Sequence, residues 1–263
     1  MRFFISSLGA ELKPELLEAW RSRFWPILWG LGVCFILFIE SVSSVSMGQD
    51  ERVFMDLTLA LLGFLGMGLS GIMVLQKIYG DRFGGAMHVN ETLPMGALTY
   101  VLARYLALVV VVGLTLLGIF LAASLIFYIY EGGVPSSQFF TAGLFLFLEV
   151  ILLTALALFA AICLRPIIGV SLYTTVAIAG NFSPDILVLA TSLGKKGQFM
   201  AEIILTAVYW VMPDLSLLSL RAHASSGLPI SGALFFGGMT YAILYASVLI
   251  VLATLHIRYR LNR

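Results

Sequence analysis

Three polar side chains lie where the surrounding sequence is almost entirely apolar, so they are the first candidates for chemistry inside a membrane. Glu149 is near the middle of one long apolar stretch, and Asn181 and Asp185 are near the end of another. An intramembrane carboxylate is costly, and it indicates a substrate or proton site. An alternative for Glu149 is a protonated carboxyl, or one bonded to a hydroxyl on a neighbouring helix. Asp185, like Glu40, has polar neighbours, which favours ordinary solvation near the membrane surface.

A second candidate is the segment 77–94, which places charges of both signs, three glycines and a proline between two apolar stretches. Apolar positions at helical spacing follow it, among them Leu98 and Val101. We therefore predict a short amphipathic helix along the membrane surface within residues 77–101, suited to receiving force from a soluble partner. The alternative is a solvated loop. The residues expected at the partner interface are Asp81, Arg82, His88, Glu91, Thr92, Leu93 and Pro94.

The sequence offers no catalytic, metal or cofactor site. Its three histidines lie on different segments without a His or Cys partner at ligand spacing, so a structural zinc site is not expected. The run Gly194-Lys195-Lys196 resembles a phosphate loop only superficially. Leu189 stands where the first glycine of that loop belongs, and Lys196 replaces the Ser or Thr that would hold magnesium. We predict that the chain by itself binds no nucleotide and is not an enzyme.

The composition predicts the surroundings of these residues. Of the 263 residues, 60% are hydrophobic and only 11% are charged, and the mean hydropathy is +1.03. A soluble domain carries roughly 25% charged residues. Several stretches approach or exceed the roughly 20 apolar residues that cross a bilayer core. We predict an all-α, multi-pass membrane protein in which residues 1–263 form one transmembrane domain. The net charge of +1 gives no indication of nucleic-acid binding.

Six spans are predicted from the apolar stretches. They cover about residues 24–45, 56–79, 102–130, 139–164, 167–192 and 231–256. Residues 1–23 have apolar positions every four residues, which predicts an interfacial helix on the inner leaflet, the alternative being a cytoplasmic extension of the first span. Residues 198–212 are apolar but too short to cross a core of about 30 Å. They are therefore expected to form a re-entrant or interfacial helix on the outer side, within a segment 193–230.

The distribution of Lys and Arg predicts the orientation, because cytoplasmic loops carry an excess of both. With the N-terminus in the cytoplasm, eleven of the 15 lie inside and four outside. The four outer residues are Arg52, Lys195, Lys196 and Arg221. Both termini are then cytoplasmic, in the inner membrane of a cell.

Small residues are abundant in the second predicted span. Small residues let transmembrane helices approach closely. We expect them to pack within the chain, the alternative being a seam between two copies. The residues are Gly63, Gly66, Gly68, Ser70 and Gly71.

The polar segment and its surroundings resemble the membrane subunit of type-2 ABC exporters. In many such permeases the loop between spans 2 and 3 has an acidic-basic pair, a glycine, a Leu-Pro, a polar-aromatic turn and a basic residue. The matching positions here are Asp81-Arg82, Gly85, Leu93-Pro94, Thr99-Tyr100 and Arg104. Asp81 stands where the family usually has glutamate. Residues 209–215 resemble the family's aromatic segment before the last span.

This resemblance implies that the chain is one subunit of an ABC exporter. The chain would form the translocation pathway together with a second permease copy or a sister permease. Two ABC ATPase subunits, which hold ATP and magnesium, would dock at the coupling helix of residues 77–101. An accessory protein outside the cytoplasm is a further partner that the resemblance allows, besides membrane lipids.

Two other classes of protein compete with this interpretation. An ion-gradient-driven secondary transporter would use Glu149 or Asp185 as a proton carrier, and many such folds show inverted repeats and broken helices. Neither feature is evident in the sequence. An intramembrane enzyme acting on lipid would need clustered Asp, His or Ser near one interface, and the sequence has no such cluster.

Overall fold

The protein is all-helical in the computed structural model, which describes residues 17, 24–46, 48–83, 97–227 and 230–261. Long helices are expected here, because in lipid a helix satisfies its own backbone polar groups. The elements of the described ranges are α1 (Phe24–Ser43), α2 (Asp50–Phe83), α3 (Ala97–Glu131), α4 (Ser137–Cys163), α5 (Pro166–Asn181), α6 (Ser183–Lys195), α7 (Phe199–Val211), a 3-10 turn (Ser216–Leu218), α8 (Arg221–Ser226) and α9 (Gly232–Leu261).

Four helices in the described part of the chain are long and apolar enough to cross a membrane, namely α2, α3, α4 and α9. A fifth crossing results if α5 and α6 count as one bent span. Shorter apolar stretches lie in α1, over Ile27–Ser43, and in α7, over Phe199–Trp210. The structure thus confirms an all-helical protein with four or five helices able to span a membrane. The count of six stays a prediction.

Helix α4 forms the centre of the fold. It packs against α2, α3, α5, α8 and α9, and 83% of its most apolar 18-residue window is buried, against 28% for α9. Because neighbours surround α4, a polar side chain near its middle faces protein on every side. Glu149 occupies such a position.

The predicted fifth span, 167–192, is not one straight helix. It is two helices, α5 and α6, bent by 75° at Phe182. Pro184 in the first turn of α6 explains the break, because proline lacks an N–H and its ring clashes with the carbonyl four residues earlier. In a straight helix that carbonyl would be the one of Gly180. Here the Gly180 carbonyl instead accepts the N–H of Leu215 at 3.1 Å.

The segment 193–230 folds back onto the helices. Helices α6 and α7 pack against each other across the short connection 196–198, and α7 ends directly before Pro213, near the predicted end of the apolar run. Residues 213–220 and α8, which we call the strap, then lie against α2 and α4. Its far end is held by a hydrogen bond from Arg52 to the Ser226 hydroxyl at 3.2 Å.

The polar segment is described only at its ends. Residues 77–83 continue α2 and residues 97–101 begin α3. A separate coupling helix is therefore confined to residues 84–96, which lie outside the described residues. The predicted interfacial helix of residues 1–23 also lies outside them, apart from Leu17, which is helical and exposed.

Four of the five small residues of α2, namely Gly63, Gly66, Ser70 and Gly71, pack within the chain, as expected. A Cβ atom on Gly66 would lie 3.0 Å from Val150, and one on Gly71 would overlap the ring of Tyr173. Gly68 differs, because a Cβ there would meet nothing within 4 Å. It borders an open groove.

Candidate functional site

A polar cavity of about 420 Å³ opens where α2, α4, the α5–α6 break and the strap meet. Glu149 is 12 residues into α4 and Gly63 is 13 residues into α2, so both lie about 20 Å along their helices. That depth is near the middle of each span. The cavity is lined by Ala60, Gly63, Phe64, Met67, Glu149, Ile178, Asn181, Phe182, Ser216, Ser219 and Arg221.

Glu149 is the acidic group of this cavity. Its side chain projects from the central helix α4, and the residue is only 2% exposed. The Oε2 atom has no hydrogen-bond partner among the residues that the structure describes. A buried carboxylate oxygen without a partner is costly, so a hydrogen-bond donor that reached this atom would be stabilising.

Arg221 is the basic group of the cavity, and it is not among the residues that the sequence pattern indicates. It begins α8 and interacts electrostatically with Glu149. Its guanidinium lies against Gly63, where a Cβ atom would come within 2.5 Å of Nη2. Its Nε atom is buried and has no hydrogen-bond partner within the described ranges. Arg221 was predicted merely to lie outside. Gly63, which leaves room for the guanidinium, is visible in the sequence, but only the fold brings Gly63 and Arg221 together.

The strap positions Arg221 through its own hydrogen bonds. The N–H of Asp214 donates to the Tyr241 hydroxyl on α9 at 2.7 Å. The Asp214 carboxylate accepts the N–H of Ser216, the first residue of the 3-10 turn, at 3.1 Å. With the Leu215 bond to Gly180, these contacts fix the strap at both α5 and α9. Ser216 and Ser219 thereby line the cavity beside Arg221.

An apolar groove of about 510 Å³ adjoins the polar cavity along α2 and α5. The two share Phe64, Met67 and Ile178, so they lie side by side with these three residues at their common border. Met67 and Tyr173 line this groove, and a polar link joins their two helices. The Tyr173 hydroxyl donates to the Met67 carbonyl at 2.6 Å and lies 2.7 Å from the Ser70 hydroxyl.

The structure brings together two of the three predicted pathway residues. Glu149 and Asn181 line the cavity, and Asn181 also donates to the Ala177 carbonyl at 3.0 Å. Asp185 is exposed in the first turn of α6 and does not line it. Glu40 was expected to be solvated, but it is buried, with only 7% exposed, because the end of α1 packs against α2 and α3.

At the opposite end of α2, Asp81 forms an ion pair with Arg104 of α3. Both side chains are largely buried, at 23% and 9% exposure. This pair joins the two helices at the base of the polar segment. The side chain of Arg82 and the remaining predicted interface residues, His88, Glu91, Thr92, Leu93 and Pro94, lie outside the described part of the chain.

Among the described residues, no group of three or more His, Cys, Asp or Glu side chains could hold a metal ion. No model of a known protein family matches the chain, and no curated protein matches it either.

Proposed function

We propose that this chain is the membrane subunit of an ATP-binding-cassette exporter, forming the translocation pathway while separate ATPase subunits hydrolyse ATP with magnesium. The observation that carries the proposal is the polar cavity of Glu149 and Arg221 at mid-depth, with an apolar groove directly beside it. Charged groups at that depth are typical of substrate pathways. The protein would cross the inner membrane six times with both termini in the cytoplasm, and pair with a second copy or a sister permease.

Coupling to an ATPase would begin at the polar segment 84–96. Its two flanking helices are tied by the Asp81–Arg104 ion pair, so a push on the segment would move the ends of α2 and α3 together. The Tyr79 hydroxyl of α2 also donates to the Arg165 carbonyl, before α5, at 3.4 Å. Motion would thus reach α5, whose far end is the break beside the cavity.

The break between α5 and α6 supplies a hinge for alternating access. Helix ends absorb changes of backbone angle more readily than helix interiors. Tilting of α5 would change the width of the groove, and the α6–α7 pair would close the cavity on the outer side. The accessory protein outside the cytoplasm, where one exists, would meet this pair.

Co-purification tests the proposal. The tagged chain, purified from its native membrane, should bring along a nucleotide-binding protein, and the complex should hydrolyse ATP. Replacing both Leu93 and Pro94 by aspartate should abolish capture of the ATPase while leaving the protein in the membrane. The matched control places two aspartates at Gly133 and Val134 in the connection after α3, where Gly133 has open space and Val134 is exposed, and it should capture the ATPase normally. Normal capture by the Leu93/Pro94 variant would refute the coupling site.

An ion-gradient-driven secondary transporter is the second candidate. The broken helix α5–α6 beside a buried carboxylate favours it, because broken helices form the binding sites of many secondary transporters. The two candidates differ in vesicles that contain only this chain. A secondary transporter would carry protons down an imposed pH gradient, and Glu149→Gln would stop that flux. An ABC permease would carry none without its ATPase.

A further inference from the structure

We infer that the cavity and the groove together bind a zwitterionic amphiphile, with its ammonium at Glu149, its phosphate or carboxylate at Arg221, and its alkyl chain along α2 and α5. That this ligand is the transported substrate rests on the proposed function. The binding site itself does not, because it is built only from residues of this chain.

The charges of the cavity select a headgroup with both signs. Glu149 offers a buried oxygen acceptor and Arg221 a buried N–H donor, and neither atom has a hydrogen-bond partner within the described residues. A purely anionic headgroup would bring a like charge toward Glu149. A purely cationic headgroup would bring a second positive charge toward Arg221. A zwitterion satisfies both atoms and adds no net charge to the membrane interior.

The shape of the groove selects an alkyl chain next to that headgroup. Beyond Phe64, Met67 and Ile178 the lining becomes almost wholly apolar, and it continues along α2 to Leu75 and Tyr79. Each part lies within the roughly 300–1,000 Å³ of ordinary ligand sites. At about 420 Å³ the polar part is also much larger than one water, whose volume is about 30 Å³.

Binding of lipids of defined headgroup to the purified chain tests this inference. Native mass spectrometry in detergent would compare phosphatidylethanolamine, phosphatidylglycerol and diacylglycerol of identical acyl chains. We expect phosphatidylethanolamine to bind about tenfold more tightly than the other two, as one additional charge-assisted hydrogen bond allows. Lysophosphatidylethanolamine, with one chain, distinguishes a two-chain membrane lipid from a smaller amphiphile as the occupant.

Two charge variants should separate the contributions of Glu149 and Arg221 to the preference for phosphatidylethanolamine. Glu149→Gln should reduce the preference for phosphatidylethanolamine over phosphatidylglycerol to about twofold or less, because the ammonium site is lost. Arg221→Gln should weaken both phospholipids and leave diacylglycerol unchanged. Equal binding of all three lipids to the wild-type chain would overturn the inference, and so would a preference that survives both substitutions.

A groove variant keeps the test valid should a charge variant not fold. Gly68→Phe fills the groove, because a Cβ there meets nothing within 4 Å. It should lower binding of phosphatidylethanolamine about tenfold or more. The control is Gly237→Phe on the exposed side of α9, which also has open space and should bind normally. Unchanged binding by Gly68→Phe would refute the groove as the chain site. ATPase capture is measured separately, so failure of lipid binding leaves the proposed function standing.

Discussion

Replacing Gly180 by alanine tests the contact between the strap and the end of α5, on which the candidate site depends. A Cβ atom there would lie 2.7 Å from the Pro213 carbonyl oxygen and 3.0 Å from Leu215 Cγ. The oxygen belongs to the backbone, so it cannot rotate away as the end of a side chain would. The strap has to move outward, and its hydrogen bond from Leu215 to the Gly180 carbonyl is lengthened or lost.

The expected magnitude follows from three opposing effects. Alanine is favoured over glycine in a helix by about 0.5–1 kcal/mol. Overpacking costs about 1–3 kcal/mol, and loss of the hydrogen bond costs a further 0.5–1.5 kcal/mol, roughly. The two costs exceed the gain, so we expect Gly180→Ala to lower the free energy of unfolding by about 2 kcal/mol, within a range of about 0.5–4 kcal/mol.

The matched control is Gly237→Ala in α9, where a Cβ atom meets nothing within 4 Å. It should raise the free energy of unfolding by about 0.5–1 kcal/mol. Both variants would be unfolded reversibly in mixed dodecylmaltoside and SDS micelles, followed by far-ultraviolet circular dichroism. Equal stability of the two alanine variants would show that the strap does not pack tightly on the helix break, and the geometry of the site would then be wrong.

Three further predictions concern other helix contacts. Tyr173→Phe removes the hydroxyl that joins α5 to Met67 and Ser70, and should lower stability by about 0.5–1.5 kcal/mol in the same titration. Ser70→Ala keeps the bond from Tyr173 to Met67 and should therefore cost less. A larger loss of stability for Ser70→Ala than for Tyr173→Phe would contradict this link. Gly118→Ala should lower stability by about 1–3 kcal/mol, because Trp29 of α1 occupies the position of the new methyl group, whereas Gly30→Ala, with open space, should not. Asp81→Asn should lower stability by about 1–3 kcal/mol, because it removes the carboxylate charge from the ion pair with largely buried Arg104. The exchange Asp81→Arg with Arg104→Asp should restore part of that loss. An exchange no better than the single change would mean that the ion pair does not hold α2 to α3.

Much of the helical framework was predictable because it follows from local sequence. The cores of α2, α3, α4 and α9 correspond to predicted spans, since a run of about 20 apolar residues in lipid has few structures other than a helix. The helix ends were less predictable. Helix α2 continues through residues 77–83 and α3 begins at Ala97, where Lys77, Arg82, Ala97 and Leu98 are good helix formers.

The broken fifth span shows how a local signal can be overlooked. Pro184 lies within the apolar stretch 167–192, but the length of that stretch alone predicts one straight span. A proline in the first turn of a helix is well tolerated, so it can begin a new helix as easily as it can interrupt an old one. The 75° bend at Phe182 is the result.

The sequence alone determined that the chain is rich in long apolar helical stretches able to span a membrane, and that Glu149 lies near the middle of one of them. Hydrophobicity and residue spacing are properties of neighbouring residues, and the sequence displays them directly. Only the tertiary structure decided that Arg221 faces Glu149. That pairing depends on a proline-induced break, on a strap bonded to Gly180 and on the space left by Gly63. These contacts join residues far apart in the chain, and packing in three dimensions selects them.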